Sequence, residues 1–380
     1  MTVTDGFVEP EYHRRSLGDV VPAVAHALGV GGAAHDLPEA PTALELPEAA
    51  AYVVFLIDGL GWRLLERHRH AAPYLASLLA GAQPATAGVP STTATSLTSL
   101  GTGLPPGAHG VVGFTSRVPG TDRLLNALLW DKSVDPVEWQ PHPTAFGRLR
   151  NAGVSVTVVN KREFAGSGLT IAAQRGADYV GADRVGERIA ATVVASAEQP
   201  SLTYLYDGDL DWTGHRYGVA SQQWLQQLAI IDAEAEQLRE TLPAHVRLVV
   251  VADHGMVDCP RERHIDVDAH LELRDGLALF GGEARFRHLY CRGGAVDDVL
   301  ATWTEFLGAR ACVLSRDQAI GRGWFGTVEP SVLPRLGDIV VAARDDHGVF
   351  SSVDFAYETS LVGLHGSLTP EEMLIPVLVS

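Results

Sequence analysis

Apolar residues along this chain fall into short continuous runs, separated by longer stretches in which they recur at helical spacing. Leu17, Val20, Val21, Val24, Ala25 and Leu28 keep that spacing and predict an amphipathic first helix. A Pro/Ala/Glu-rich connection over 36–49 follows, and then Ala51–Ile57, an unbroken apolar run of the kind found in strands buried on both faces. This run stops at Asp58-Gly59, and helical spacing continues through Leu79. The stretch 83–89 predicts a further strand. Strands are next expected over 154–159, 202–206 and 247–252, with helices over 184–197 and 221–240. Strands alternating with helices predict an α/β fold, a central and mostly parallel sheet with right-handed crossovers and flanking helices. From about 261 to 343 the pattern changes to short strands around a helix at 295–307, read as a small α+β cap insertion. The main α/β core is then 1–260 with 344–380, closed by an apolar strand over 374–379.

Three of the buried runs end abruptly in acidic residues: at Asp58, at 207–211, and at Asp253-His254-Gly255. In open α/β sheets the carboxyl ends of the strands are where ligands bind. Composition narrows the choice of ligand. A formal net charge of -17, from 46 acidic against 29 basic residues, disfavours a nucleic-acid polymer or an anionic membrane as partner. A small anionic substrate stays admissible if bound cations reverse the local field. Cys259, Cys291 and Cys312 supply neither a disulfide framework nor a CxxC zinc site, which suits a reducing cytosol. Arg14-Arg15 ahead of a mildly apolar stretch ending in Gly-Ala-Ala has the outline of an export signal. Helical spacing interrupted by Asp19 and His26 favours a helix of the mature fold, so the expected location is cytoplasmic. No run is long enough for a transmembrane helix, and the sequence says nothing about oligomeric state.

The stretch 89–103 is crowded with hydroxyls and ends in Gly-Thr-Gly. Pro90 suits the turn before a helix, Ser91 or Thr92 would cap it, and Leu97 and Leu100 would share its buried face. Thr93 then lies in the first turn, where free N–H groups and the helix dipole favour an anion. Alone, this is a capped helix with a polar face. The supply of carboxylates and imidazoles elsewhere changes that balance: Asp58, the Asp-x-x-Gly-His of Asp211 and His215, the pair Asp253-His254, and His365 before Gly366. Carboxylate with imidazole suits zinc, with manganese or iron less exclusively matched. Counting Thr93, these seven side chains are too many for one catalytic zinc and suit two divalent ions. Singly, each has a bland reading as a turn, a cap or a core histidine.

In this order the residues resemble the alkaline phosphatase superfamily, and within it the nucleotide pyrophosphatase/phosphodiesterase (type I phosphodiesterase) family. Pro90-x-x-Thr93, then Thr102-Gly103 and the Pro-x-x-His-Gly of Pro106 to Gly110, are similar to that family's nucleophile segment. The resemblance implies that Asp58, Asp253 and His254 hold one metal, which also binds the Thr93 oxygen, while Asp211, His215 and His365 hold the other. It further implies hydrolysis of a small phosphorylated substrate, a nucleotide among the candidates, through a phospho-threonine at Thr93, with the Thr93 or Ala94 N–H near a non-bridging oxygen. The chain departs from the pattern at Phe114, where the family usually places an asparagine that contacts the phosphoryl group. That departure bears on diester preference. A phosphonoacetate-hydrolase-like C–P hydrolase, a phosphomonoesterase and a non-catalytic, metal-stabilised nucleotide-binding scaffold are the competing readings. Lys161 and Arg162 follow a strand end and would neutralise a phosphate, against a solvated loop. Arg285 and Arg287 alternate on a predicted cap strand and would give it one basic face, directed to substrate or to solvent.

Overall fold

The computed structural model describes residues 3–4, 6–30 and 43–380. The Gly-Ala-Ala segment and residues 36–42 of the 36–49 connection lie outside them. The predicted first helix is present as α1 (Val20–Ala27), buried along most of its length. Six strands build the main sheet: β1 (Ala51–Ile57), β2 (Ser155–Asn160), β3 (Asp178–Gly181), β4 (Ser201–Asp207), β5 (Val246–Val251) and, at the C-terminus, β10 (Val377–Val379). Their spatial order is β10-β5-β1-β4-β2-β3, parallel throughout except for β10, which runs antiparallel along β5. All seven residues of β1 are buried, as the apolar run predicts for a strand sandwiched between helix layers. Register pairs Leu56 with Val251 and Ile57 with Asp207, so the carboxyl ends of β1, β4 and β5 lie level.

Helices flank this sheet. The hydroxyl-rich stretch forms α2 (Thr93–Thr102), α3 spans Val185–Ala195, and α4 (Asp209–Tyr217) leaves the end of β4. The longest, α5 (Gln222–Thr241), is capped by the Ser221 side chain, which accepts from the Trp224 N–H. It buries Trp224, Leu228, Ile231, Ala235 and Leu238, a single stripe at helical spacing.

A second, four-stranded antiparallel sheet of order β6-β7-β9-β8 comes from β6 (Leu277–Glu283), β7 (Phe286–Cys291), β8 (Ala311–Ser315) and β9 (Ile339–Ala343). With α6 (Val296–Leu307) it encloses a small apolar core of its own, around Phe280, Leu289, Trp303 and Val341. β6 was not anticipated by the pattern. Two other expectations need correcting. Only Ala85–Thr86 of 83–89 is strand, paired with Leu374–Ile375. The closing strand is two strands, broken at Pro376, whose missing N–H cannot serve a ladder; its halves join different sheets.

Candidate active site

α2 is buried on every side, so its hydroxyls do not form the water-facing stripe that the bland reading supposes. They are spent on neighbours. Ser91 Oγ donates to the Ser367 carbonyl at 2.6 Å, Ser96 Oγ to the Asp253 carbonyl at 2.8 Å, and Ser99 Oγ meets His109 Nε2 at 2.9 Å. Thr98 and Thr102 bond back to carbonyls one turn earlier. Gly101 is required by packing: a Cβ there would lie 1.8 Å from the Ala173 carbonyl oxygen. The helix is thereby bolted to the segments that carry Asp253 and His365, with Thr92 as its extended N-cap and Thr93 as its first residue.

Around Thr93 the chain assembles two groups of metal-competent atoms, Asp58/Asp253/His254 and Asp211/His215/His365, each with its ligand atoms within 4.8 Å of one another. Thr93 Oγ1 lies 3.2 Å from His254 Nε2 and 3.4 Å from Asp58 Oδ2. The His254 and His365 rings stack, 3.7 Å between centroids, and join the two groups. Asp58 and Asp253 follow directly from the ends of β1 and β5, while Asp211 and His215 share a face of α4 at i, i+4. His365 arrives from far along the chain, held by antiparallel pairing of Ser91 with Gly366.

The donor chemistry fits a pair of cations. Each of the three imidazoles turns Nδ1 to a backbone carbonyl: His254 to Gly255 at 2.9 Å, His215 to Gly363 at 2.7 Å and His365 to Ser91 at 2.9 Å. A ring that donates from Nδ1 presents a lone pair at Nε2, the arrangement that orients metal ligands. In the first group His254 Nε2 lies 3.4 Å from Asp58 Oδ1 and from Asp253 Oδ2. In the second, His215 Nε2 lies 3.3 Å from Asp211 Oδ2 and His365 Nε2 3.8 Å from Asp211 Oδ1. In the first group lone pairs therefore face lone pairs; in the second, against the effect of burial, the Asp211 carboxylate pushes His215 up to about 9. Asp58 Oδ1, Asp211 Oδ1 and Asp253 Oδ2 are buried and accept no hydrogen bond. Burial, and then the charges of Asp253 and Asp211, push Asp58 well above the usual carboxylate range. Burial, and then the nearby His254, hold His365 well below the usual imidazole value. Unpaired buried acceptors of this density are costly unless a cation fills the space between them.

Outer contacts complete the arrangement. Tyr206 Oη donates to Asp58 Oδ2 at 2.5 Å, and the Gly59 and His254 N–H groups donate to Asp253 Oδ1 at 3.1 and 3.0 Å. Asp207 stands apart from the ligands. Its carboxylate takes the Arg188 guanidinium at 2.6 Å and the Asp209 N–H at 2.8 Å, anchoring the turn into α4.

A cavity of about 590 Å³ opens beside Thr93, and Asp211, His215, His365 and Phe114 line it. The remaining substrate candidates are placed otherwise. Ala94 is buried as the second residue of α2. Lys161 Nζ pairs with Asp209 at 2.8 Å, and Arg162 with Asp183 and Glu187. The basic face expected of Arg285 and Arg287 is directed to neither substrate nor solvent. Both side chains are fully buried, Arg285 in a fork on Glu372 (3.0 and 2.7 Å) and Arg287 on Glu358. A buried guanidinium needs a carboxylate, and each of the two has one; Arg285 stands in the turn before β7, which begins at Phe286, so only Arg287 lies on the strand. Tyr206 and Glu283 were not singled out from the sequence. Tyr206 carried a signal, an aromatic one step before the acidic end of a buried strand. Glu283, at the tip of β6, lines the cavity and is pushed up to about 8 by burial. It carried none.

A parallel sheet with two carboxylate–imidazole groups flanking a helix-start hydroxyl defines an alkaline-phosphatase-like protein. The chain belongs to the type I phosphodiesterase / nucleotide pyrophosphatase family, which it matches over residues 52–368. Ectonucleotide pyrophosphatase/phosphodiesterase family member 7 of Mus musculus, and that of Rattus norvegicus, are each 32% identical over 78 residues, 19% of this chain. The matched segment spans 18% of those relatives' length. Among solved structures, murine ectonucleotide pyrophosphatase/phosphodiesterase 5, an inactive variant in complex with AMP, superposes with a TM-score of 0.70 at 18% identity. The match covers 87% of this chain and 88% of that one. Phosphonoacetate hydrolase from Sinorhizobium meliloti 1021, in complex with phosphonoformate, gives 0.66 at 21% identity, over 88% and 90%. Among the described residues no helix is long and apolar enough to cross a membrane.

Proposed function

We propose that this chain is a two-metal phosphodiesterase or nucleotide pyrophosphatase that works through a phosphorylated Thr93. The observation that carries the reading is the position of Thr93 Oγ1: first residue of a buried helix, within 3.4 Å of ligand atoms of one group, on the wall of the cavity into which the other opens. Asp58, Asp253 and His254 would hold one divalent cation and Asp211, His215 and His365 a second, with zinc the best match to the donor set. Bound there, such ions supply Lewis-acid stabilisation and make hydroxyl and water easier to ionise. The chain's own part is positional. Thr93 gives up its proton as its oxygen attacks phosphorus, and the ester oxygen leaves. Water then attacks the phosphorylated side chain and restores the hydroxyl. First-turn N–H groups of α2, Ala94 among them, face the anionic phosphoryl oxygens. Residues 261–343 act as a cap, and Glu283 at the tip of β6 is their contribution to the cavity. Cys259, Cys291 and Cys312, none of them in a disulfide, support a reducing, cytoplasmic setting.

The test is to quench the zinc-loaded protein during turnover of bis(p-nitrophenyl) phosphate and map phosphorylation by mass spectrometry. A phosphopeptide containing Thr93 is expected. Thr93→Ala should lose about 10³-fold or more in kcat while keeping its metal, and Thr93→Ser should recover part of the rate. Unchanged turnover by Thr93→Ala sinks the reading. Phosphonoacetate and p-nitrophenyl phosphate in the same panel separate a C–P hydrolase and a monoesterase from a diesterase.

A further inference from the structure

The phosphoryl site explains where phosphorus sits but not what hangs from it. Away from the two ligand groups, six large apolar side chains line the cavity beside a few polar ones: Phe114, Leu128, Trp212, Tyr357, Leu361 and Leu364. Leu128, Trp212 and Tyr357 come from three distant segments, are 45%, 58% and 50% exposed, and converge on this one mouth. Exposed apolar side chains scattered singly mean little, but grouped around a concave opening they mark a surface built for a ligand. The Phe114 and Tyr357 rings lie 6.2 Å apart at 59°. The side chain that replaces the family's amide is thus part of an apolar wall.

Charge points the same way. Among the described residues, Arg216 is the one arginine or lysine in the lining. Its guanidinium leans over the Trp212 and Tyr217 rings, 5.5 and 5.6 Å from their centres. Glu283 and Glu358 complete the wall. The phosphates of a polyphosphate chain need several cationic donors, and beyond the metal-competent groups they would meet two carboxyl side chains and one guanidinium.

We infer that the substrate is a phosphodiester carrying an apolar aryl or alkyl arm and no second phosphate. This rests on the phosphodiesterase reading above and narrows it, setting diesters ahead of nucleoside polyphosphates. The test uses p-nitrophenyl esters of methyl, hexyl and phenyl phosphate, which share one leaving group, with ATP alongside, on the zinc-loaded full chain. The value of kcat/KM should rise at least about tenfold from the methyl ester to the better of the phenyl and hexyl esters, and ATP should fall below both. The better arm identifies the source, aryl or alkyl. In the double variant Leu128→Ala/Tyr357→Ala the ratio to methyl should collapse toward unity. Equal rates on all three esters, ATP ahead of them, or a ratio that survives the double variant would overturn the inference. If no ester turns over, the phosphodiesterase reading has failed. Calorimetry with methyl-, hexyl- and phenylphosphonate then decides this inference alone: tighter binding of hexyl or phenyl upholds it, and equal binding of all three overturns it.

Discussion

The two ligand groups share a chemistry and stand on unlike foundations. Asp58, Asp253 and His254 sit at or just beyond the ends of neighbouring parallel strands, with side chains 3% exposed or less, and none of them lines the cavity. Asp211, His215 and His365 come from a helix and a distant loop, are 15%, 23% and 8% exposed, and all face the cavity. The first group is positioned by the backbone that makes the sheet, so whatever keeps the fold keeps the group. The second is assembled by side-chain clamps: Ser91, whose Oγ accepts from the Gly366 N–H and donates to the Ser367 carbonyl, Arg188 on the turn into α4, and Glu372, which receives the Ser367 N–H at 3.0 Å while bonded to Arg285 of the β6–β7 hairpin. A sealed group beside Thr93 and an open one facing the cavity can therefore be disturbed separately.

The largest expected effect comes from the ligands themselves. Asp253→Asn keeps an oxygen for the Gly59 and His254 N–H groups and replaces the unpartnered Oδ2 with a donor. Outer partners of a metal cost about 10–100-fold when lost, so an inner one should cost more than about 100-fold in metal affinity, with turnover falling alongside. Because its group is sealed, excess zinc should not restore the rate. Asp211→Asn should lose comparable activity but respond to excess zinc, since water reaches the open group. Normal two-metal content in purified Asp253→Asn protein would falsify that residue's assignment. The clamp comes next. Glu372→Gln leaves the fully buried Arg285 without a countercharge, at a cost of about 3–5 kcal/mol in stability. A lowered Tm should be accompanied by loss of one metal equivalent, that of the second group. An unchanged melt, or loss of both equivalents together, would show that the groups do not stand apart.

This contrast also decides how much the sequence could tell. The first group is legible because both its carboxylates end apolar runs, and a run with its terminal Asp is local information. Asp211 and His215 are legible through their helical spacing. His365 is different: its partner Ser91 is 274 positions away, and its place before Gly366 is a weak local sign that the family resemblance strengthens. Arg285 and Arg287 show the limit in the other direction. Their alternation predicts a strand face, but Arg285 falls in the turn before β7, and the carboxylates that absorb the two lie 87 and 71 positions downstream, so periodicity alone has no means of telling a basic face from two buried ion pairs. The hydroxyls of α2 suggest a polar face and are buried, because Ser96, Thr98 and Thr102 bond to backbone carbonyls that composition does not count. The cavity wall was the least readable part, since Leu128, Trp212 and Tyr357 meet only after folding.

The smallest effect tests whether the sealed group depends on anything beyond its backbone. Tyr206 Oη donates at 2.5 Å to the Asp58 oxygen that also lies near Thr93. A hydrogen bond from a neutral hydroxyl to a buried carboxylate is among the stronger kinds, and it fixes which oxygen turns toward the cluster. Tyr206→Phe removes one oxygen and keeps the ring, which packs edge-on against Phe164, so the fold should be retained. Metal affinity should fall by about 10-fold, at the low end of the range for outer partners, because the neighbouring strands still aim Asp58 and Asp253. The loss should appear in one of two equivalents in a metal titration, leaving the second group untouched. If Tyr206→Phe proves as costly as Asp253→Asn, the sealed group is held by side chains after all, and the division between a backbone-built and a clamp-built half of the site fails.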